Sequence, residues 1–226
     1  MNARPHSLVP LLLGSLLITA CSAATETPVE DAASVSAETR EAEVPTAPEP
    51  AQPSLLLDPG FTEGDAPENL KHWRLYQHAG ERSYVLSIED GVATLKRVGI
   101  EPWGQITQTL PADAYAGKTL EWSAELEGEL DDSYGEPFQA SGLSVSVTGL
   151  APGDLPMMGA RHLLTQSTDP GLPAGVLERG RQRLQFVVPA GSDLKLQVSV
   201  ILTRGGYLRA RNPQLRVVDA PEAAQP

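Results

Sequence analysis

The strongest constraint on this chain is a two-residue alternation of apolar and polar side chains, broken at short intervals by glycine and proline. The run from Leu194 to Leu202 is the clearest, and Ile201 is its one apolar residue on the otherwise polar side. Three further segments alternate in the same way: 120–127, 143–148 and 183–188. Successive side chains of a strand point to opposite faces, so this pattern is typical of antiparallel sheets with one buried side.

The chain breakers argue against a helical fold. Glycine and proline number 20 each among 226 residues, and no amphipathic segment of ten residues survives between them. Many short strands separated by turn signals predict an all-β domain, an antiparallel β-sandwich, over residues 54–219. Residues 151–180 are patterned loosely, and we expect an extended connection there, part of which covers a face of the sandwich.

The first 20 residues are typical of a secretory signal peptide. Arg4 precedes an apolar run from Leu8 to Ile18, and small residues follow that run. A membrane-spanning helix needs roughly 20 apolar residues, so the run is too short to span.

The end of this segment, Leu17-Ile18-Thr19-Ala20-Cys21, resembles the lipobox of bacterial lipoproteins. The resemblance implies diacylglycerol on the Cys21 thiol, cleavage before Cys21, and acylation of the new amino group, for example by palmitate. Ser22 stands where inner-membrane lipoproteins usually carry Asp, which implies anchoring in the outer membrane on its periplasmic face. The alternative is a stray Cys beside an ordinary cleavage site.

Residues 21–53 are predicted to be a disordered tether. From Ser22 to Pro53 the chain holds five prolines, seven acids and one base, with no aromatic, Leu, Ile or Met residue. Such a segment cannot bury enough apolar surface to offset the entropy of ordering it, and it spans roughly 30 Å as a flexible chain. Residues 220–226 are predicted to be a frayed, disordered tail.

Charge and cysteine content exclude several classes of partner. Acids outnumber bases 29 to 17, a net charge of −12, which argues against nucleic acid and against electrostatic docking on anionic lipid. The single Cys excludes an internal disulfide and a cysteine-based zinc site. The core alone must therefore hold the sandwich together.

The order of features within 54–219 resembles the galactose-binding-like jelly roll of carbohydrate-binding modules. The segments that carry the resemblance are the opening 58–64, Trp73, 103–108, 117–124, and the closing strands 194–202 and 207–218. The resemblance implies a jelly-roll fold and a glycan ligand. It also implies that Phe61 and Trp73 belong to the core, and the phase of Trp122 points its side chain inward as well.

Trp103 is the best candidate for stacking on a sugar ring, since it stands between Pro102 and Gly104 at the mouth of a strand. Gln105 follows it and offers an amide for hydroxyl groups. Tyr134, in a long polar loop, is a further candidate contact. The alternatives are that Trp103 caps the edge of the core and that the loop is an ordinary solvated connection.

Members of the resembled family often hold a structural calcium, for which Asp58 and Glu63 are the candidate ligands here. The position matching the family's Asp in the last strand holds Arg211 or Asn212, and a nearby Arg disfavours a cation. We therefore expect no metal and no other cofactor.

No catalytic motif stands out, so we expect no enzyme activity. The chain has no nucleophile elbow, no His-Glu-x-x-His and no phosphate loop, and acid pairs such as Glu127/Glu129 and Asp131/Asp132 are more often solvated edges. Two functions remain open. One is a membrane-anchored module that binds a glycan or similar polar ligand in the cell envelope. The other is an envelope lipoprotein that binds a protein partner or acts as a scaffold.

Overall fold

The computed structural model describes residues 53–63, 70–135, 137 and 139–219, and its regular structure is almost entirely β-strand. The ten strands in chain order are β1 Arg74–Gln77, β2 Tyr84–Glu89, β3 Val92–Arg97, β4 Gly104–Pro111, β5 Thr119–Asp131, β6 Gly142–Leu150, β7 Arg161–Ser167, β8 Gly175–Val187, β9 Ser192–Leu202 and β10 Gly205–Val217. Two single-turn 3₁₀ helices, Asp113–Tyr115 and Pro156–Met158, lie between strands. Within the described ranges no helix is long and apolar enough to cross a bilayer.

The strands form two antiparallel sheets of five. The first sheet has the order β1-β4-β9-β6-β7, and the second has the order β2-β3-β10-β5-β8. Most consecutive strands lie in opposite sheets; the exceptions are the hairpins β2–β3 and β6–β7. The predicted all-β antiparallel sandwich is confirmed. The predicted signal peptide, the tether before Pro53 and the tail 220–226 lie outside the described residues.

The core lies between the sheets and is anchored by aromatic side chains. Trp73 and Trp122 are almost fully buried, and their ring centroids lie 6.4 Å apart. Phe61 packs against Trp73 at 4.8 Å. The indole nitrogen of Trp73 donates to the backbone oxygen of Asp58 at 2.8 Å, which ties the opening segment over the core. Phe61, Trp73 and Trp122 are therefore core residues, as the sequence predicts.

Residues 151–180 contain more regular structure than the sequence predicts. β7 lies within them as an edge strand of the first sheet, and β8 begins before they end. Every side chain of β7 is exposed or half-exposed. Two consecutive residues of β7, Leu163 and Leu164, both pack half-buried against the core, and β7 pairs with β6 through a β-bulge at Val147/Thr148. The apolar residues of β7 therefore do not alternate, and the expectation of a long irregular connection was wrong.

Candidate functional site

The outward face of the first sheet carries hydroxyl and amide side chains at matching levels on neighbouring strands. On β6 the inward positions are leucine and valine, so Ser144 and Ser146 point away from the core. Ser199 of β9 pairs with Ser144. Gln197 of β9 and Thr165 of β7 pair with Ser146 on its two sides. Three adjacent strands thus present polar groups together.

These side chains line a groove of about 260 Å³. It is lined by Trp103, Gln105, Gln139, Ser144, Ser146, His162, Thr165, Gln197, Ser199 and Ile201. Ser199 and Ile201 are each 3% exposed and form its floor. None of the ten lining residues is Asp, Glu, Lys or Arg. The groove therefore offers hydrogen bonding without a permanent charge.

Trp103 stands at the margin of this groove and is held there by its neighbours. Its backbone oxygen accepts a hydrogen bond from the His78 amide at 3.1 Å, and the His78 ring meets the indole edge-on, with centroids 6.3 Å apart. Nδ1 of His78 lies 2.6 Å from the Glu101 carboxylate, which fixes the imidazole in turn. The half-buried indole thus contacts the β1–β4 edge and also lines the groove.

Strand alternation separates the two glutamines that follow Trp103. Gln105 lies on the outward face of β4 and lines the groove. Gln108 lies on the inward face, is 1% exposed, and accepts a hydrogen bond from the Leu57 amide at 2.9 Å. Of the two, only Gln105 is placed to meet a ligand in this groove.

Ile201 explains the one break in the alternation of β9. It lies on the polar, outward side of the strand, pairs with Gln105, and adds apolar surface to the groove floor. An apolar residue on an otherwise polar strand face is a signal that sequence reasoning can find. The remaining lining residues on β6, β7 and β9 are ordinary outward polar residues, and no pattern in the sequence marks them.

A hydrogen bond from the second sheet holds the floor of the groove in place. The indole nitrogen of Trp122, on β5, donates to the backbone oxygen of Ser199 on β9 at 3.1 Å. This buried hydrogen bond connects the two sheets beneath the groove.

Tyr134, the third candidate ligand contact, is not among the residues that line the groove. The guanidinium carbon of Arg97 is 4.0 Å from the centroid of the Tyr134 ring, and Tyr134 is 41% exposed. The structure thus brings Trp103 and Gln105 together and places Tyr134 against Arg97, outside the lining of the groove. A ligand contact at Tyr134 stays a prediction.

The carboxylates considered for calcium are engaged in local contacts. The Asp58 carboxylate accepts hydrogen bonds from the backbone amides of Thr62 at 2.9 Å and Glu63 at 3.0 Å. Burial raises the pKa of Asp58, but these hydrogen bonds outweigh it and hold that pKa below its usual value. Glu63 pairs with Lys71 at 2.9 Å. Within the described residues no three His, Cys, Asp or Glu side chains are grouped to hold a metal ion.

The acidic residues of β5 lie on the outward face of the second sheet, on the side of the sandwich away from the groove. Glu127 contacts Arg179 at 3.1 Å and Arg211 at 2.7 Å, so it is paired across both neighbouring strands. Asp131 accepts a hydrogen bond from the Ser133 amide at 2.9 Å, and Asp132 pairs with Arg204. Glu127 thus belongs to a cross-strand charge ladder, whereas Asp131 is bound within its own loop and Asp132, just after β5, pairs with a loop residue.

Comparison with known proteins identifies no family. No family model matches the chain, and no curated protein matches it.

Several solved structures share a weak likeness. The enzymatically active domain of bacteriophage CBA120 tailspike protein 4 is 13% identical; the match covers 69% of this chain and 21% of that one, with a TM-score of 0.45. A family 4 carbohydrate-binding module is 13% identical, with 72% and 99% covered and a TM-score of 0.43. The CBM22-1 xylan-binding domain from Paenibacillus barcinonensis is 16% identical, with 72% and 93% covered and a TM-score of 0.42. At these scores the likenesses carry no argument about function.

Proposed function

We propose that this chain is a non-catalytic lipoprotein of the cell envelope that binds a glycan, or a similar polyol, in the groove of the first sheet. The observation that carries the proposal is the groove itself, with an indole at its margin and hydroxyl and amide groups on its walls and floor. A sugar ring presents apolar C–H faces together with hydroxyl groups. An aromatic face beside fixed polar groups is complementary to both.

The polar groups of the groove are suited to a ligand rich in hydroxyls. The Ser146 hydroxyl donates to Oε1 of Gln197 at 3.4 Å, which leaves the Gln197 amide nitrogen to donate to a ligand. The Ser144 hydroxyl and the Gln105 amide both donate and accept. The lining has no Lys, Arg, Asp or Glu, so a neutral glycan that enters the groove strips water from no charged side chain. Its binding therefore avoids the cost of burying an unpaired charge.

Placement in the envelope is supported by the lipobox-like segment ending at Cys21. A diacylglyceryl group and an amide-linked acyl chain on one residue give an essentially permanent anchor, since each buried CH₂ contributes about 0.8 kcal/mol. We place the protein in the outer membrane, facing the periplasm, where peptidoglycan is an available glycan.

Tryptophan fluorescence tests glycan binding directly. Trp73 and Trp122 are 1% and 0% exposed, so a ligand in the groove acts mainly on the emission of Trp103. Peptidoglycan fragments and neutral oligosaccharides titrated into the chain from residue 21 onward, with Cys21→Ser, are expected to shift this emission saturably.

Variants measured by calorimetry locate the site. Trp103→Ala is expected to weaken binding by about tenfold or more, because it removes the stacking surface. Gln197→Ala is expected to weaken it by roughly three- to tenfold, the effect of one or two hydrogen bonds. Gln166→Ala, on β7 but outside the groove lining, is the matched control and is expected to bind as the parent does.

Two results would contradict the proposal. Fluorescence unchanged across all glycans would remove its basis, and so would equal losses in the groove and control variants. A stoichiometric protein crosslinked from membranes, in the absence of any glycan response, would favour the alternative of an envelope protein-interaction lipoprotein.

A further inference from the structure

The β6–β7 hairpin ends in an exposed apolar segment, Leu155–Met158, which we call the apolar tip. Leu155 is 58% exposed, Met157 is 87% exposed and Met158 is 68% exposed. Single exposed apolar side chains are common on protein surfaces, whereas a contiguous group at the end of a hairpin needs a reason.

The apolar tip is ordered by its own backbone and carries no charge. The Met158 amide donates to the Leu155 oxygen at 2.9 Å, which closes the 3₁₀ turn. The charged residues closest to the tip in the sequence are Asp154 and Arg161; the Asp154 carboxylate accepts from the Ala151 amide at 2.9 Å and from Nε of Arg161 at 3.0 Å. These two charges offset each other, so the tip can enter an apolar medium without carrying an unpaired charge.

The apolar tip lies at the end of the sandwich where the chain enters the domain. β6 ends and β9 begins there, since Leu150 pairs with Ser192. The segment 112–118 crosses between the sheets at the same end, with Ala112 bonded to Leu194 on one side and Gly117 to Val188 on the other.

The first described residues are at this end too. The Leu55 amide donates to the Leu215 oxygen at 2.7 Å, near the end of β10. We call this the entry end. The chain that follows Cys21 therefore enters the domain at the end that carries the apolar tip.

We propose that the apolar tip inserts into the lipid interface of the membrane to which Cys21 is anchored. This inference uses the proposed anchor for its biological setting. A tether of roughly 30 Å holds the entry end at a high effective concentration near the bilayer, so that even a weak tip–lipid interaction suffices to dock the domain. Docking by the entry end orients the domain with respect to the bilayer.

The chemistry predicts which lipids the tip prefers. With a chain charge of −12 and no unpaired basic group at the tip, attraction to anionic headgroups does not contribute. Insertion is driven by burial of leucine and methionine side chains. It is therefore expected on zwitterionic vesicles, with little change on adding salt, and to be weaker on vesicles that contain phosphatidylglycerol.

Vesicle flotation tests this with the chain from residue 21 onward carrying Cys21→Ser, so that neither signal peptide nor lipid contributes. Vesicles of phosphatidylcholine and phosphatidylethanolamine are the probe. The double variant Met157→Asp/Met158→Asp is expected to partition at least about tenfold less than the parent. Both sites are exposed, so the fold is expected to survive, and an unchanged thermal midpoint checks this.

The matched control is Val98→Asp/Ile100→Asp, which places the same two charges on apolar residues that are 50% and 80% exposed. Ile100 lies at the opposite end, where its backbone oxygen and that of Thr203, just after β9, both bind Arg97. This control is expected to float with the vesicles as the parent does.

Three results would overturn the inference: no parent chain on the vesicles, equal partitioning of the double variant, or an equal loss in the control. A concentration-dependent dimer that the double variant abolishes would assign the tip to a second copy and overturn it as well. The flotation assay uses unlipidated protein, so its outcome does not depend on the anchor. Whether Cys21 is lipidated is tested independently, by measuring the mass of the native protein.

Discussion

At the scale of single residues, Arg97 orders the end of the sandwich opposite the entry end. It is 7% exposed and faces backbone oxygens where a carboxylate is the usual partner. Its guanidinium donates to the oxygens of Thr203 at 2.8 Å, Ile100 at 2.9 Å and Gly99 at 3.1 Å. The Tyr134 ring covers it at 4.0 Å, which adds a cation–π contact.

Replacing Arg97 by Met therefore leaves three carbonyls without their donor while keeping much of the side-chain volume. We expect Arg97→Met to lower the free energy of unfolding by about 2–4 kcal/mol, measured by urea denaturation. The control is Arg209→Met, since Arg209 is half-exposed and 3.9 Å from Glu127; it should cost less than about 1 kcal/mol. Equal losses in the two variants would contradict this account of Arg97.

At the scale of elements, β5 places a column of acids between two columns of arginine. The pairs it forms across the second sheet are Glu121–Arg216, Glu125–Arg181, Glu127–Arg179 and Glu127–Arg211. Opposite charges facing each other across strands stabilise a sheet and keep its outward face solvated. Glu121 is the most buried of these acids, at 3% exposed, and it also accepts from Nε2 of Gln185 at 3.0 Å.

The pKa of Glu121 makes this contact dependent on pH. Burial raises the pKa, but hydrogen bonds from Gln185 and Arg216 outweigh it and bring the pKa below the ordinary value of 4.5. A carboxyl group whose pKa is lowered by folding stabilises the fold above its unfolded pKa, and this contribution is lost as pH falls through the folded pKa.

We therefore expect Glu121→Gln to lower the free energy of unfolding by about 1–3 kcal/mol at neutral pH. The difference from the parent should shrink as the pH falls below about 4.5. Urea denaturation over a pH series measures it, with Glu129→Gln, at an exposed site on the same strand, as control. A deficit that is constant with pH would show that packing, and not the charge, is responsible.

The elements themselves differ in how far the sequence predicts them. β5, β6 and β9 follow from alternation, because each has a face buried against the other sheet. β7 does not, because its two half-buried core contacts, Leu163 and Leu164, are consecutive and a β-bulge interrupts its pairing with β6. The strand β7 nevertheless supplies His162 and Thr165 to the groove, so part of the candidate site lies where the pattern carries no signal.

At the scale of the whole molecule, the entry end and the groove are distinct surfaces. The groove lies on the outward face of the first sheet, and the apolar tip extends beyond the same β6–β7 hairpin that forms one wall of the groove. In the proposed anchored state, attachment through the entry end leaves this face free for the proposed glycan.

The anchor is tested in cells. Cys21→Ala is expected to move the protein from the membrane fraction to the soluble fraction, because it removes the acceptor thiol. Globomycin, which blocks cleavage at the lipobox, is expected to make a larger precursor accumulate. Immunoblots of fractionated cells measure both. A variant that remains with the membranes would show that Cys21 is not the attachment site.

The sequence by itself determines the all-β class, the antiparallel sandwich, the inward position of Trp122 and the lipobox-like segment, because each is a local pattern of period, phase or spacing. Only the tertiary structure decides which outward residues share a groove. Trp103 and Gln105 are two residues apart in the chain, but strand pairing brings Ser144, Thr165 and Gln197 to them from three other strands. The physical reason is that register and sheet order depend on long-range pairing, and polar residues on the outward face form no apolar pattern that would reveal that pairing in the sequence.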